Sequence, residues 1–191
     1  MQITIGGICD NSGVNSYING FLNLRRRVFI DNMDWKLISH NQIEYEQYDT
    51  IATTYVIAHE DGKVVGGARL LRTDSKLPTT FGLTQYSYMI RDAYHGLLPG
   101  LPSEICFSEP PSDNTTWELT RFVSLDGAQV GKAILTEVNH FIKAKKAKTC
   151  LFLGPPVFMR MSKTMGYKPT PLGKIVGNES GRFLAFSCDV V

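Results

Sequence analysis

Thr53-Thr54-Tyr55-Val56-Ile57-Ala58-His59-Glu60-Asp61-Gly62-Lys63-Val64-Val65-Gly66-Gly67-Ala68-Arg69-Leu70-Leu71 reads as two strands, Thr53 to His59 and Val64 to Leu71, joined by a tight hairpin. The Asp-Gly pair supplies the positive φ that a two-residue turn needs. Gly66 and Gly67 inside the second strand predict a bulge or a close backbone approach. Arg69 stands in an otherwise apolar strand, where an unpaired guanidinium is costly, so the sequence implies acidic partners for it.

Upstream of the hairpin, Met1 to Ile5 reads as a strand, and Gly6, Gly7 and Asn11-Ser12-Gly13 break the chain. From Val14 to Met33, Tyr17, Ile18, Phe21, Leu22, Leu24, Val28 and Phe29 recur mostly at helical steps, with Arg25, Arg26 and Arg27 among them. Residues 36–50 hold no period and read as a loop, and ordered loops of that length are usually functional. Downstream, Thr116 to Ser124 reads as a strand and Ala128 to Ala147 as a helix. Cys150 to Leu153 reads as a buried strand, and Phe158 to Met165 as a short helix closed by Gly166. Strands near 172–177 and 182–190 end the chain, and the Pro-rich stretch Leu97 to Asn114 reads as a surface loop. No repeat or linker divides this order, which implies one domain over 1–191: a three-layer α/β/α arrangement with a mixed sheet between helices.

Composition narrows the function classes. Hydrophobic residues make up 43% and charged residues 20% of the 191, ordinary globular proportions. A net charge of +2, spread along the chain, does not build the basic face of a nucleic-acid binder. Cys9, Cys106, Cys150 and Cys188 form no C-x-x-C pair, so they read as reduced thiols. No histidine among His40, His59, His95 and His140 has metal-ligand spacing or a nucleophilic partner, and no metal is expected. The start lacks a basic region followed by an apolar one, and no run approaches the ~20 apolar residues of a membrane span, so a cytoplasmic protein is expected.

Four segments stand out together: Leu24-Arg25-Arg26-Arg27-Val28-Phe29 with Met33-Asp34-Trp35, Glu44-Tyr45-Glu46-Gln47-Tyr48-Asp49, Val65-Gly66-Gly67-Ala68-Arg69-Leu70-Leu71, and Trp117-Glu118-Leu119-Thr120-Arg121-Phe122. Their order and spacing resemble the acyl-homoserine-lactone synthases, the autoinducer synthases of bacterial quorum sensing. The resemblance implies a fold similar to the GNAT-type N-acyltransferases. It also implies S-adenosylmethionine as the acyl acceptor, a substrate rather than a cofactor, and an acyl carrier protein thioester as donor, with acyl-CoA left open. Arg25, Phe29, Trp35, Asp49, Arg69, Glu118 and Arg121 match the family's motif types. Glu46 stands where the family more often has Asp, Tyr94 where it usually has Phe, and Arg72 and Asp74 where Pro and Thr are commoner.

The residues suit that chemistry. Trp35 and Phe29 can bound a sulfonium, since a cation over an aromatic face gains ~0.5–2 kcal/mol. Arg25, Glu46, Asp49 and Arg69 form the expected acceptor site with them, through acid–guanidinium pairs of fixed geometry. Glu118 is the candidate for removing the amine proton, and Arg121 for ordering the site; three positions apart on a strand, they face opposite sides unless a bulge intervenes. Arg121, Asp49 and Arg69 complete the catalytic set with Glu118. Ala128-Gln129-Val130-Gly131-Lys132-Ala133 partly matches a pyrophosphate-cradling turn at a helix start. Phe152, Phe158 and Met161 are candidates for an acyl pocket. Lys143, Lys145, Lys146 and Lys148 are candidates for docking an acidic carrier protein. A CoA-dependent N-acyltransferase for another amine, or a non-catalytic acyl- or adenosylmethionine-binding regulator, are the alternatives.

Overall fold

The structure, a computed structural model, describes residues 1–10, 12–125 and 127–191. Asn11 of the expected Asn-Ser-Gly break lies outside the described residues. In chain order the elements are β1 (Gln2–Gly6), α1 (Ser12–Arg25), a π-helical segment (Arg26–Asn32), β2 (Ser39–His40), β3 (Ile43–Glu44), β4 (Thr54–Glu60) and β5 (Lys63–Arg72). There follow β6 (Lys76–Thr79), β7 (Gly82–Gln85), α2 (Met89–Tyr94), a 3-10 turn (Ser103–Ile105), β8 (Thr116–Ser124) and α3 (Gly127–Ala144). The chain ends in β9 (Thr149–Gly154), α4 (Pro156–Thr164), β10 (Thr170–Pro171), β11 (Val176–Asn178) and β12 (Gly181–Asp189). The fold is mixed α/β, as the sequence implies, and it sorts into two compact units: Met1–Leu70 with Arg121–His140, and Leu71–Thr120 with Phe141–Val191.

In the first unit β4 pairs antiparallel with β1 on one side and β5 on the other. Asp61 and Gly62 both have positive φ, 47° and 78°, so the expected tight turn is present. The register steps from Ala58↔Gly66 to His59↔Val64, which leaves Val65 bulged. Both readings of the glycine pair hold. A Cβ on Gly66 would come 2.7 Å from the Val123 carbonyl oxygen, and one on Gly67 would come 2.7 Å from the Phe21 ring. The absent side chains therefore let β5 lie close to neighbouring backbone and let α1 settle its aromatic face. That face supplies Ile18, Phe21, Leu22 and Leu24 to a core shared with Phe29, Tyr55, Ile57 and Val123.

The single helix expected from Val14 to Met33 differs in its second half. After Arg25 the chain winds wider, with Met33 N–H donating to the Val28 carbonyl at 3.1 Å, a five-residue step. A π segment turns the following side chains away from the face a 3.6-residue period predicts, and such segments recur at functional sites. The expected loop at 36–50 contains the short β2–β3 hairpin, turned at Asn41 and Gln42 with φ of 47° and 69°. Asn23 Nδ2 of α1 donates to the Gln42 carbonyl at 3.0 Å and ties the hairpin to the helix.

In the second unit β9 pairs parallel with β8 and antiparallel with β12, and β12 carries β10 and β11 antiparallel. Phe152 of β9 stacks on Phe186 at 4.9 Å, and Phe158 and Met159 of α4 pack with Tyr167 on Leu184, Phe186 and Cys188. Gly166 closes α4 at φ 89°, as expected. The β6–β7 hairpin and α2 fall in a stretch for which the sequence predicts no element. Cys9, Cys106, Cys150 and Cys188 are free thiols. Among the described residues no helix is long and apolar enough to cross a membrane.

Candidate functional site

Three acidic side chains within six positions meet three arginines brought from distant elements. Glu44 ends β3, and Glu46 and Asp49 lie in the turn after it; Arg25 ends α1, Arg69 sits on β5, and Arg121 on β8. Asp49 N–H donates to the Glu46 carbonyl at 2.9 Å, and Glu46 N–H to Asp49 Oδ2 at 3.0 Å, so the turn holds its own shape.

The six charges form a closed, alternating ring. Arg25 grips Asp49 through both terminal nitrogens, at 2.6 and 2.8 Å, and also contacts Glu44. Glu44 Oε1 lies 3.3 Å from Arg121 Nε, and Arg121 Nη2 donates to Glu46 Oε2 at 2.6 Å. Arg69 then joins Glu46, at 2.7 Å, back to Asp49, at 3.3 Å. Each guanidinium touches two carboxylates and each carboxylate two guanidiniums. The ring is formally neutral, which is why six charges can be buried together.

Four ring members are buried, Arg25 and Arg69 at 0% and Glu44 and Asp49 at 1% exposure, while the side chains of Arg121 and Glu46 keep 8% and 13%. Burial alone would push the Asp49 carboxyl up. The Arg25 hydrogen bond and the charges of Arg69 and Arg25 outweigh it and hold Asp49 well below the usual carboxylate range. Tyr55 donates to Asp49 Oδ1 at 3.0 Å, and burial together with the Asp49 charge pushes its phenol up, so it stays a donor. Burial lowers Arg121, partly offset by Glu46 and Glu44. Asp49, saturated by donors on both oxygens, can hold arginines but is a poor proton acceptor.

An aromatic column adjoins the ring. Phe29 and Trp35 stack at 4.8 Å with planes 8° apart, and the Arg121 guanidinium lies 5.7 Å from the Phe29 centroid. Trp35 is half-buried. The π segment makes this pairing, since Trp35 N–H reaches back to the Phe29 carbonyl at 2.8 Å.

The structure brings together the expected acceptor-site residues Arg25, Phe29, Trp35, Glu46, Asp49 and Arg69, with Arg121, expected to order the site, joining them. It adds Glu44 and Tyr55, which sequence reasoning missed. Arg121 has φ of 52°, a left-handed conformation that interrupts the strand alternation between it and Glu118. Such strain costs ~1–3 kcal/mol and gathers at functional sites.

The remaining candidates are placed as follows. Glu118, 1% exposed, accepts from the Met89 N–H at 3.2 Å and the Ile90 N–H at 2.7 Å, where it caps α2. Phe152 and Phe158 are half-buried on one apolar cluster, and Met161 is half-buried on α4. Lys143, Lys145, Lys146 and Lys148 are all exposed at the end of α3 and beyond it. Residues 128–133 open α3, just after Gly127 with φ of 74°. Among the described residues no cluster of His, Cys, Asp and Glu is suited to a metal.

The family model described as autoinducer synthase matches residues 11–144. An acyl-homoserine-lactone synthase from Acinetobacter nosocomialis is 28% identical over 177 residues, covering 86% of each chain. Among solved structures, the acyl-homoserine-lactone synthase LasI superposes with a TM-score of 0.80 at 19% identity, covering 100% of this chain and 90% of that one. BjaI, described as a CoA-dependent acyl-homoserine lactone synthase and solved with SAM and isopentyl-CoA, gives 0.79 at 20%, covering 99% and 83%.

Proposed function

The chain belongs to the autoinducer synthase family, and from that membership we propose that it works as one domain that makes an acyl-homoserine lactone from S-adenosylmethionine and an acyl thioester. The single observation that carries the reading is the neutral ring of three arginines and three acids beside a cation-accepting aromatic stack. Adenosylmethionine combines a sulfonium, an ammonium, a carboxylate and an aromatic base. The Phe29–Trp35 stack suits the first and last, and fixed charges suit the middle two.

In the proposed reaction the acceptor's ammonium loses a proton to Glu118, directly or through water. The freed amine attacks the thioester carbonyl carbon, the amide bond forms, and the C–S bond breaks to release the donor thiol. The acceptor carboxylate then attacks its own γ-carbon. The lactone C–O bond forms, the bond from γ-carbon to sulfonium breaks with its electron pair going to sulfur, and methylthioadenosine leaves. Arg25, Arg69 and Arg121 order the acceptor site, and Asp49 acts through the arginines it grips. Phe152, Phe158 and Met161 are proposed to line the acyl chain.

The donor is proposed to be an acyl carrier protein guided by Lys143, Lys145, Lys146 and Lys148, whose exposure suits electrostatic steering. The description of BjaI supports acyl-CoA as the second reading, and the backbone N–H groups at the start of α3 suit a phosphate of either donor.

The test is direct. Purified protein is mixed with adenosylmethionine and either acyl donor, and the products are read by mass spectrometry. Acyl-homoserine lactone and methylthioadenosine in equal amounts are expected; an acylated amine without methylthioadenosine would instead point to a simple N-acyltransferase.

A further inference from the structure

Glu44 is the ring member with no place in the acceptor site expected from sequence, yet it is buried to 1% and joins Arg25 to Arg121. Its two oxygens do different work. Oε2 contacts Arg25, whose hold on Asp49 is already bidentate. Oε1 faces Arg121 Nε at 3.3 Å. Arg121 is held at another corner by Glu46, from Nη2 at 2.6 Å. A guanidinium gripped at one nitrogen can pivot about that contact, whereas one gripped at Nε and Nη2 has its plane fixed. That plane lies 5.7 Å from the centroid of Phe29, whose other partner is Trp35 at 4.8 Å. Glu44, Arg121, Phe29 and Trp35 thus form a continuous line from a buried charge to a half-buried indole.

We propose that Glu44 is a positioning residue for acceptor binding: by holding Arg121 Nε it sets the guanidinium against Phe29 and so fixes the Phe29–Trp35 stack that receives the sulfonium and adenosyl group. The proposal rests on adenosylmethionine being the acceptor. It separates two tasks within one ring. Asp49, bonded to Arg25 and Tyr55, secures the ring to α1 and β4, while Glu44 transmits the ring's geometry to the ligand-facing aromatics.

Two variants test it. Glu44→Gln removes the charge. Glu44→Asp keeps the charge, and hence the neutrality of the ring, but withdraws the carboxylate from Arg121 by one methylene. Both should raise the KM for adenosylmethionine by ~10-fold or more while changing kcat less than ~3-fold and leaving the acyl-donor KM unchanged. Both should also alter the near-ultraviolet circular dichroism of the aromatic stack without any ligand. A purely structural role predicts that Glu44→Asp restores the KM along with stability, and that result would overturn the proposal. An unchanged aromatic signal in Glu44→Asp would overturn it too, and this measurement decides the matter if Glu44→Gln does not fold. Failure of the unaltered protein to bind adenosylmethionine would sink the acceptor assignment instead, with the aromatic signal still reporting whether Glu44 orders the stack.

Discussion

At the scale of the residue, Glu118 carries two loads that pull an experiment in different directions. As the proposed proton acceptor it should contribute ~10²–10⁴-fold to kcat. As the acceptor of the Met89 and Ile90 amides it also holds the start of α2. Glu118→Gln keeps one carbonyl oxygen for those amides but cannot take a proton. It should therefore lower kcat by ~10²–10⁴-fold and leave adenosylmethionine affinity nearly unchanged, with a modest drop in melting temperature. Equilibrium binding beside single-turnover acylation separates these effects; lost affinity with unchanged kcat would make Glu118 a cap and nothing more. Sequence made Arg69 legible as a paired charge, because an arginine among valines, glycines and leucines has to be compensated. Glu44 was not legible in the same way, since a glutamate amid the polar residues 36–50 looks like solvated surface. Nor was the left-handed φ of Arg121, a conformation to which arginine has no intrinsic leaning.

At the scale of the element, the β4–β5 hairpin shows where sequence reading is strongest. Asp61-Gly62 specifies the turn chemistry, the short apolar runs on either side of it specify the strands, and the paired glycines specify close approach. Gly66→Ala tests the last of these. The new methyl would sit 2.7 Å from a backbone oxygen of β8, which cannot rotate away as a side chain could. A loss of ~1–3 kcal/mol of stability is expected by denaturant titration, and a loss under ~0.5 kcal/mol would mean that the strands move apart freely. The β2–β3 hairpin and the π segment escaped the sequence for opposite reasons. Two-residue strands such as Ser39–His40 are too short to show a period. The stretch Arg26–Asn32 continues a helical period so well that its wider winding leaves no trace in residue spacing. The hairpin is tied to α1 by Asn23, a contact that residue spacing does not announce, and the π segment shows itself only in its five-residue hydrogen-bond step and in the Phe29–Trp35 stack it brings together.

At the scale of the whole molecule, charge is expected to act on stability and, in the proposed reaction, on the choice of acyl donor. Because the folded Asp49 carboxyl is held below its unfolded value, its contribution to stability is complete above the unfolded pKa of ~4 and is lost as pH falls through the folded value. Melting temperature should therefore fall steeply below ~pH 4, and Asp49→Asn, where it folds, should be less stable at neutral pH with a shallower acid limb. An unchanged acid limb would assign acid unfolding to other carboxylates. For partner choice, reversing Lys143 and Lys146 should raise the KM for an acyl carrier protein substrate, weaken its salt dependence and leave kcat nearly constant, with little effect on acyl-CoA. Equal effects on both donors would remove the docking role.

The ring also has a history in time. Its acids fall within residues 44–49, but the arginine that closes it comes 77 positions after Glu44 and 75 after Glu46. Loop-closure entropy must be overcome before such distant partners repay it, so long-range contacts form late. On the ribosome, Arg25, Glu44, Glu46, Asp49 and Arg69 can all emerge while the circuit still lacks a cation. Until Arg121 arrives the nascent cluster carries an uncompensated negative charge, and the aromatic column has no guanidinium behind it. Under the proposed assignment, the acceptor site is therefore complete only once Arg121 has joined the ring.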